Sequence, residues 1–460
     1  MNSKSELTPS ILYNAVRGYF RFVHNKLYYR NFYIVDKENI PENGISTLIV
    51  SNHQNCLNDP LGVQFSFFKR KINVFARADV FKNPIAARFL NFLGLIPAFR
   101  MSHEGIDSVS NNKKTFDIAS DELVKGRTVL MYPEAGHQDK RWLGNFSMAY
   151  IILAFEAAEK SNFEKEIYIL PSCNHYSNYF HIQADMLVKY GKPIAISPYY
   201  EKFKEKPRTV QRELNRIVRD EITSLMLNIE DLENYDQIDY IRNSYGMVYA
   251  EEKGFDPKNL QDKLISDKML VSKISEYKEF DPIGTQQIFR QVTEIKEIEE
   301  SFKFREWNYS KTFSRSSVIL RIIMGIILFP VFILSLFPNI FIYLAPNLIT
   351  RKIKDHMFDG SIYYGLSVLL TIPLFYIITF VLVLNLTNTL WMPLVHVFAL
   401  PFLGLFAWKY KIGFIKLKSE LRYNRLNKRG DLNRLIILRE SLFSQMQKII
   451  SFEKSDAISI

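Results

Sequence analysis

Ser51-Asn52-His53-Gln54-Asn55-Cys56-Leu57-Asn58-Asp59-Pro60 places an imidazole and a carboxylate close together at the end of an apolar run, Thr47, Leu48, Ile49 and Val50. The run reads as a buried strand, so His53 is delivered at a strand end with an acid one turn later. Asp59 can take one ring nitrogen of His53 and leave the other to accept a proton from a hydroxyl. That is the base-and-orienter half of a Ser-His-Asp arrangement, with the substrate's own hydroxyl as nucleophile. The bland alternative is a capped loop in which both side chains only satisfy backbone groups. Cys56 lies three residues after His53, but the sequence supplies no partner that would activate it as a nucleophile.

The elements around this stretch alternate. Val74-Phe75-Ala76, the run Gly94 to Arg100, Thr128 to Met131, Ile167 to Leu170 and Leu187 to Tyr190 read as strands. Pro84 to Phe92, Asn112 to Lys125 and about 146–160 read as helices. Such alternation predicts an α/β layer, with polar residues at strand ends forming the site. Ahead of it, residues 1–30 hold an amphipathic helix with Ser10 as N-cap, suited either to a membrane interface or to packing on the domain. The basic residues in that stretch argue against a compact signal peptide.

The chain has 460 residues and a net charge of +11, which fits a phosphorylated substrate or an anionic membrane surface. No nucleic-acid-binding signature accompanies the charge. Two distant cysteines, Cys56 and Cys173, make no disulfide framework. The α/β domain is expected over 31–204, followed by a charged helical insert or linker over 205–315.

From there the composition changes. Residues 322–349 and 361–408 carry no Asp, Glu, Lys or Arg, and each run exceeds the roughly 20 residues a spanning helix needs. A membrane region over 316–410 follows: a re-entrant or split segment at 318–346, with Pro330, Pro338 and Pro346 as breaks, then spans at 362–384 and 389–408. Basic residues precede the first stretch (Lys311, Arg315, Arg321), separate the two (Arg351, Lys352, Lys354) and follow the last (Lys409, Lys411, Lys416, Lys418). The excess of Lys and Arg on the cytoplasmic side of membranes places all three there, provided the first stretch goes in and comes back; the alternative, one kinked span, would put one basic segment outside. A multi-pass membrane protein with a cytoplasmic catalytic domain and a basic cytoplasmic tail over 411–460 is expected.

Four ordered blocks within 28–195 resemble the PlsC-type phospholipid and glycerol acyltransferases, in particular the glycerol-3-phosphate acyltransferase-like branch with C-terminal membrane segments. The first is Asn52-His53 through Asp59-Pro60, whose five intervening residues are similar to the longer His–Asp spacing of that branch. The second, Gly94 to Arg100, resembles Gly-x-x-x-x-x-Arg. The third, Tyr132-Pro133-Glu134-Ala135-Gly136, resembles Phe-Pro-Glu-Gly, with Ala135 where the first glycine is usual. The fourth, Leu170-Pro171, resembles Val-Pro, although the Phe-Arg-Ser that often follows is absent. Lys354 through Pro373 also look similar to that branch.

The resemblance implies an α/β acyltransferase domain, a mixed sheet flanked by helices, carrying a helical insert and a C-terminal α-helical membrane region. It implies His53 and Asp59 as catalytic residues, and Arg100, Glu134, Gly136 and Arg141 as binding residues for the phosphorylated acceptor. An acyl thioester, acyl-CoA or acyl-carrier protein, is the implied donor. Glycerol 3-phosphate or lysophosphatidate (1-acylglycerol 3-phosphate) is the implied acceptor, with no metal or other cofactor. A second possibility is a membrane lipid-binding or scaffold protein of the same fold without the chemistry, and the two are told apart by whether Asp59 reaches His53.

Overall fold

The structure, a computed structural model, describes residues 9–67, 70–99, 107–134, 136, 139–309, 314–353 and 355–452. It divides into two compact units, residues 1–228 with 350–365, and residues 229–349 with 366–460.

In the first unit α1 (Ile11–Phe22) begins at Ser10, whose Oγ accepts the Tyr13 amide at 3.2 Å. A π-helical turn, Val23–Tyr28, continues it. Tyr13 and Arg17 are buried on the domain, while Ile11, Leu12 and Phe22 face outward. The chain then passes through β1 (Asn31–Val35), β2 (Ser46–Ser51), α2 (Asn58–Ser66), β3 (Ile72–Arg77), α3 (Pro84–Leu93), β4 (Leu95–Ala98), α4 (Asp107–Val124), β5 (Thr128–Met131), α5 (Ala149–Lys160), β6 (Ile167–Tyr176), β7 (Asp185–Tyr190) and β8 (Ile194–Ala195). The strands form one sheet in the order β1-β7-β6-β2-β5-β3-β4, with β8 on β6. Neighbours run parallel except β6 with β7 and β6 with β8. The sheet is therefore mixed, with helices packed against it.

Every residue of β2 is buried, as a central strand covered on both faces requires. Its register fixes the site, because Val50 lies beside Met131 of β5 and Pro171 of β6, and Ser51 beside Ser172. The residues that follow β2 and β5 therefore emerge next to the second half of β6. That half was not foreseen: β6 continues through Pro171 to Tyr176, where sequence predicted a strand ending at Leu170. The added residues pair antiparallel with β7.

α6 (Tyr200–Glu205) and α7 (Pro207–Leu225) close this unit. Val210, Leu214, Val218 and Ile222, one helical face, join Tyr150, Phe155 and Ile169 in its core. Residues 207–225, expected at the start of the charged insert, thus belong to the core of the α/β unit. Their outward charges masked an apolar stripe at four-residue spacing.

The second unit is helical. It contains α8 (Tyr235–Ser244), α9 (Gly246–Glu252), α10 (Leu260–Phe280), α11 (Pro282–Phe302) and α12 (Arg315–Thr350), and then, beyond the end of α13 (Asp359–Leu366), a π turn (Ser367–Thr371), α14 (Ile372–Thr387), α15 (Trp391–Arg429) and α16 (Asn433–Ser451). Residues 318–346, expected as a re-entrant or split segment, lie in the single helix α12, which runs through all three prolines. The expected basic tail is also folded. α15 continues unbroken to Arg429, and α16 buries Leu435, Leu442, Met446 and Ile449. Arg439 on that helix reaches Glu299 and Glu306, each at 2.8 Å. Among the described residues, three helical stretches are long and apolar enough to cross a membrane: Arg315–Thr350, His356–Thr387 and Trp391–Arg429. Outward side chains such as Leu334, Phe337, Ile377, Leu386 and Phe398 are largely exposed, as suits a lipid solvent and not water.

Candidate active site

Asp59 is fully buried near the start of α2 and points back at the end of β2. Its Oδ2 lies 2.8 Å from His53 Nδ1 and also accepts the backbone amides of Gln54 and Asn55, each at 2.7 Å. Its Oδ1 accepts the Tyr176 hydroxyl at 2.6 Å. Two of these donors are amides that can only donate, so the carboxyl serves as an ionised acceptor and the proton of the shared bond belongs on Nδ1. Proton transfer then falls to Nε2. The loop from His53 to Asp59 turns at Asn55-Cys56-Leu57, where Cys56 has φ 24°.

Tyr132, the residue after β5, stacks on the imidazole with ring centroids 4.2 Å apart and an interplanar angle of 21°. Burial, reinforced by the Asp59 charge, pushes the Tyr176 and Tyr132 hydroxyls well above their ordinary range. Tyr176 therefore stays a hydrogen-bond donor to Asp59. Sequence places Tyr132 only within the block that resembles Phe-Pro-Glu-Gly and gives neither tyrosine a role beside the base. The signal was present only as tyrosines beside strand ends, and the meaning of Tyr176 depends on the unforeseen extension of β6.

Glu134 follows two residues later. Its Oε1 accepts the backbone amide of His53 and its Oε2 that of Gly144, both at 2.8 Å. Burial raises its carboxyl above the usual range, and the two amides pull the other way. The side chain thus ties the loop after β5 to the residue that carries the base. Gly136 sits in the following bend without a left-handed φ, and among the described residues an added Cβ would meet nothing closer than the Glu134 carbonyl at 4.0 Å. Arg141 is buried, with Nη2 donating to the Tyr176 carbonyl at 3.1 Å and its guanidinium over the Tyr179 ring. It braces the end of β6 beside the site. Arg100, with Ala135, lies outside the described residues.

An asparagine clasp joins the two central strands. Asn52 Oδ1 accepts the Asn174 amide at 2.7 Å, and Asn52 Nδ2 donates to the Asn174 carbonyl at 3.0 Å. Gln54 is held by the Lys140 carbonyl and the Tyr179 hydroxyl. The Cys56 thiol is pushed up to about 12, first by burial and then by Asp59 and Asp355, which leaves it protonated and slow to react while the loop keeps this shape.

Comparison with known proteins bears on this geometry. Residues 31–174 match the protein family described as Acyltransferase. These residues form an acyltransferase-family domain. The match begins at β1 and ends on Asn174 in β6, so it takes in His53, Asp59 and Glu134. Among solved structures, the chain is similar to the 1-acyl-sn-glycerophosphate (LPA) acyltransferase PlsC from Thermotoga maritima. That similarity has 16% identity and a TM-score of 0.33, and covers 45% of this chain and 79% of the other. No curated protein matches the chain.

Proposed function

We propose that the protein is a membrane-bound O-acyltransferase that moves a fatty acyl group from acyl-CoA or acyl-carrier protein to a hydroxyl of glycerol 3-phosphate or 1-acylglycerol 3-phosphate. The observation that carries this reading is the bond between His53 Nδ1 and the buried, fully coordinated Asp59 carboxylate. His53 Nε2 takes the acceptor's hydroxyl proton as the oxygen attacks the thioester carbonyl. The tetrahedral intermediate collapses with loss of the thiolate, which takes the proton back from the imidazolium. Asp59 keeps the ring in the required tautomer and offsets the positive charge it gains in the transition state. The acyl group passes directly from donor to acceptor, with no covalent enzyme intermediate. Arg100 is the residue the resemblance assigns to the acceptor phosphate, where a guanidinium fork suits a dianion. The scaffold alternative would gain from an Asp59 turned away from His53, and the observed contact supports the catalytic reading instead.

The membrane helices support the same reading, because a long acyl chain partitions into lipid at about 0.8 kcal/mol per buried methylene. The test is transfer of labelled acyl groups by membranes containing the full chain. Glycerol 3-phosphate and 1-acylglycerol 3-phosphate are offered in parallel, with acyl-CoA and acyl-carrier protein as donors. A labelled product that falls about 10²–10⁴-fold in His53→Ala is expected. Full activity in that variant, or no transfer by the parent with any combination, sinks the proposal.

A further inference from the structure

We propose that Ser361, in a segment inserted between two apolar helices some 300 positions away in sequence, is a positioning residue for the His53–Asp59 pair. The inference rests on the acyl-transfer reading. The loop that carries the pair has two local weaknesses. Leu57, just before α2, contributes no capping side chain, and the Asn55 carbonyl is already taken by the Asn58 and Asp59 amides, so the Leu57 amide needs an acceptor from outside the loop. Cys56 holds a left-handed φ of 24°, which a non-glycine residue keeps only when its surroundings enforce it.

Residues 355–365 meet both needs. Ser361 Oγ accepts the Leu57 amide at 2.9 Å, and the Met357 carbonyl lies 3.5 Å from Cys56 Sγ. The same segment is anchored on the domain by Tyr28, whose hydroxyl donates to the Gly360 carbonyl at 3.0 Å. Tyr364 anchors it again, donating to the Phe20 carbonyl at 2.8 Å. Gly360 passes so close to the loop that an added Cβ would lie 3.3 Å from Asn55 Oδ1 and 3.2 Å from the Tyr179 carbonyl. Asn55 donates its amide to Asp59, and Tyr179 holds Gln54. The segment therefore touches each residue of the turn Asn55-Cys56-Leu57, which sets the distance from His53 to its carboxylate. It acts on the orientation of the base and leaves acceptor and donor binding alone, so its loss affects turnover more than affinity.

The experiment compares Ser361→Ala, Ser361→Thr and Gly360→Ala in the full-length protein. It reads kcat and KM for both substrates and, separately, the rate at which N-ethylmaleimide labels Cys56, the other cysteine being fully buried. Ser361→Ala should lower kcat about five- to tenfold, the scale of one lost hydrogen bond. KM should stay within about twofold, with near-parent turnover in Ser361→Thr. Both Ser361→Ala and Gly360→Ala should label faster. Parent-like kcat in Ser361→Ala, Ser361→Thr as impaired as Ser361→Ala, or unchanged labelling in both variants overturns the proposal. If the parent protein transfers no acyl group at all, the acyltransferase reading fails by itself. The labelling rates then decide whether the segment braces the loop: faster labelling supports it and unchanged labelling overturns it.

Discussion

Asp59 accepts four hydrogen bonds, from His53, Gln54, Asn55 and Tyr176, and each ties the base to a different part of the loop or sheet. Tyr176→Phe removes one donor without changing shape, so the carboxylate keeps its place with one bond fewer. Turnover should fall about five- to tenfold with the fold retained, and a kcat equal to that of the parent would remove Tyr176 from the site. Glu134 offers a sharper discrimination. The resemblance assigns it to acceptor binding, while its two oxygens accept the amides of His53 and Gly144. Glu134→Gln turns an NH2 group toward one of those amide donors and disturbs the base. The expected result is a lower kcat with an acceptor KM within about twofold of the parent. A raised KM at unchanged kcat would return Glu134 to the role of acceptor contact.

At the scale of elements, the join between α1 and β1 contains a fully buried histidine. His24 is ringed by Tyr29, Phe32, Phe65 and Tyr364, with ring centroids 4.8 to 5.7 Å away. Burial drives its pKa down to about 3, against a slight upward pull from Asn25. In the unfolded chain a histidine titrates near 6.5. Between these values the unfolded state binds a proton that the fold excludes. Its contribution to stability is therefore intact above pH ~6.5 and is lost as pH falls toward ~3, by about 1.4 kcal/mol per pH unit. His24→Phe suits the aromatic surroundings and does not titrate. Thermal unfolding of the detergent-solubilised protein at pH about 7 and about 5.5 should show a smaller acid-induced drop in the variant. Equal drops would show that other groups govern the acid response.

For the molecule as a whole, two sets of contacts limit how the apolar helices meet a bilayer. Residues before α12 touch residues after the apolar part of α15: Asn308 bonds Ser419 at 2.9 Å, and Arg439 reaches Glu299 and Glu306. We propose that these two flanks share one side of the membrane. The stretch 355–365 docks on the acyltransferase domain. If that stretch lies on the same side, the α14–α15 pair crosses as a hairpin and α12 does not traverse the bilayer, its three prolines being places where a helix can bend. The basic residues that flank these helices favour the same arrangement. Single cysteines replacing Asn388 and His356 test it in sealed membranes. Asn388→Cys should react with an impermeant reagent from outside, and His356→Cys only after the membranes are opened. Outside labelling of His356→Cys would mean that α12 crosses.

Much of this architecture could be read from the residues alone. The apolar run of β2 and the polar stretch after it located His53 and Asp59, because a buried strand must end where its side chains turn polar. The uncharged runs marked the membrane helices, because no aqueous fold tolerates so many outward apolar side chains. Local pattern does not carry the contacts that span long separations. The bonds of Tyr176 to Asp59, Glu134 to the His53 amide and Ser361 to Leu57 join residues 117, 81 and 304 positions apart. Each depends on strand order or on where a distant segment docks. The charged insert and the basic tail misled for the same reason, since their solvent-facing charges were plain in sequence while the partners of α7 and α16 were not. Only the folded chain sets those separations to hydrogen-bonding distance, and orienting a catalytic base requires that distance.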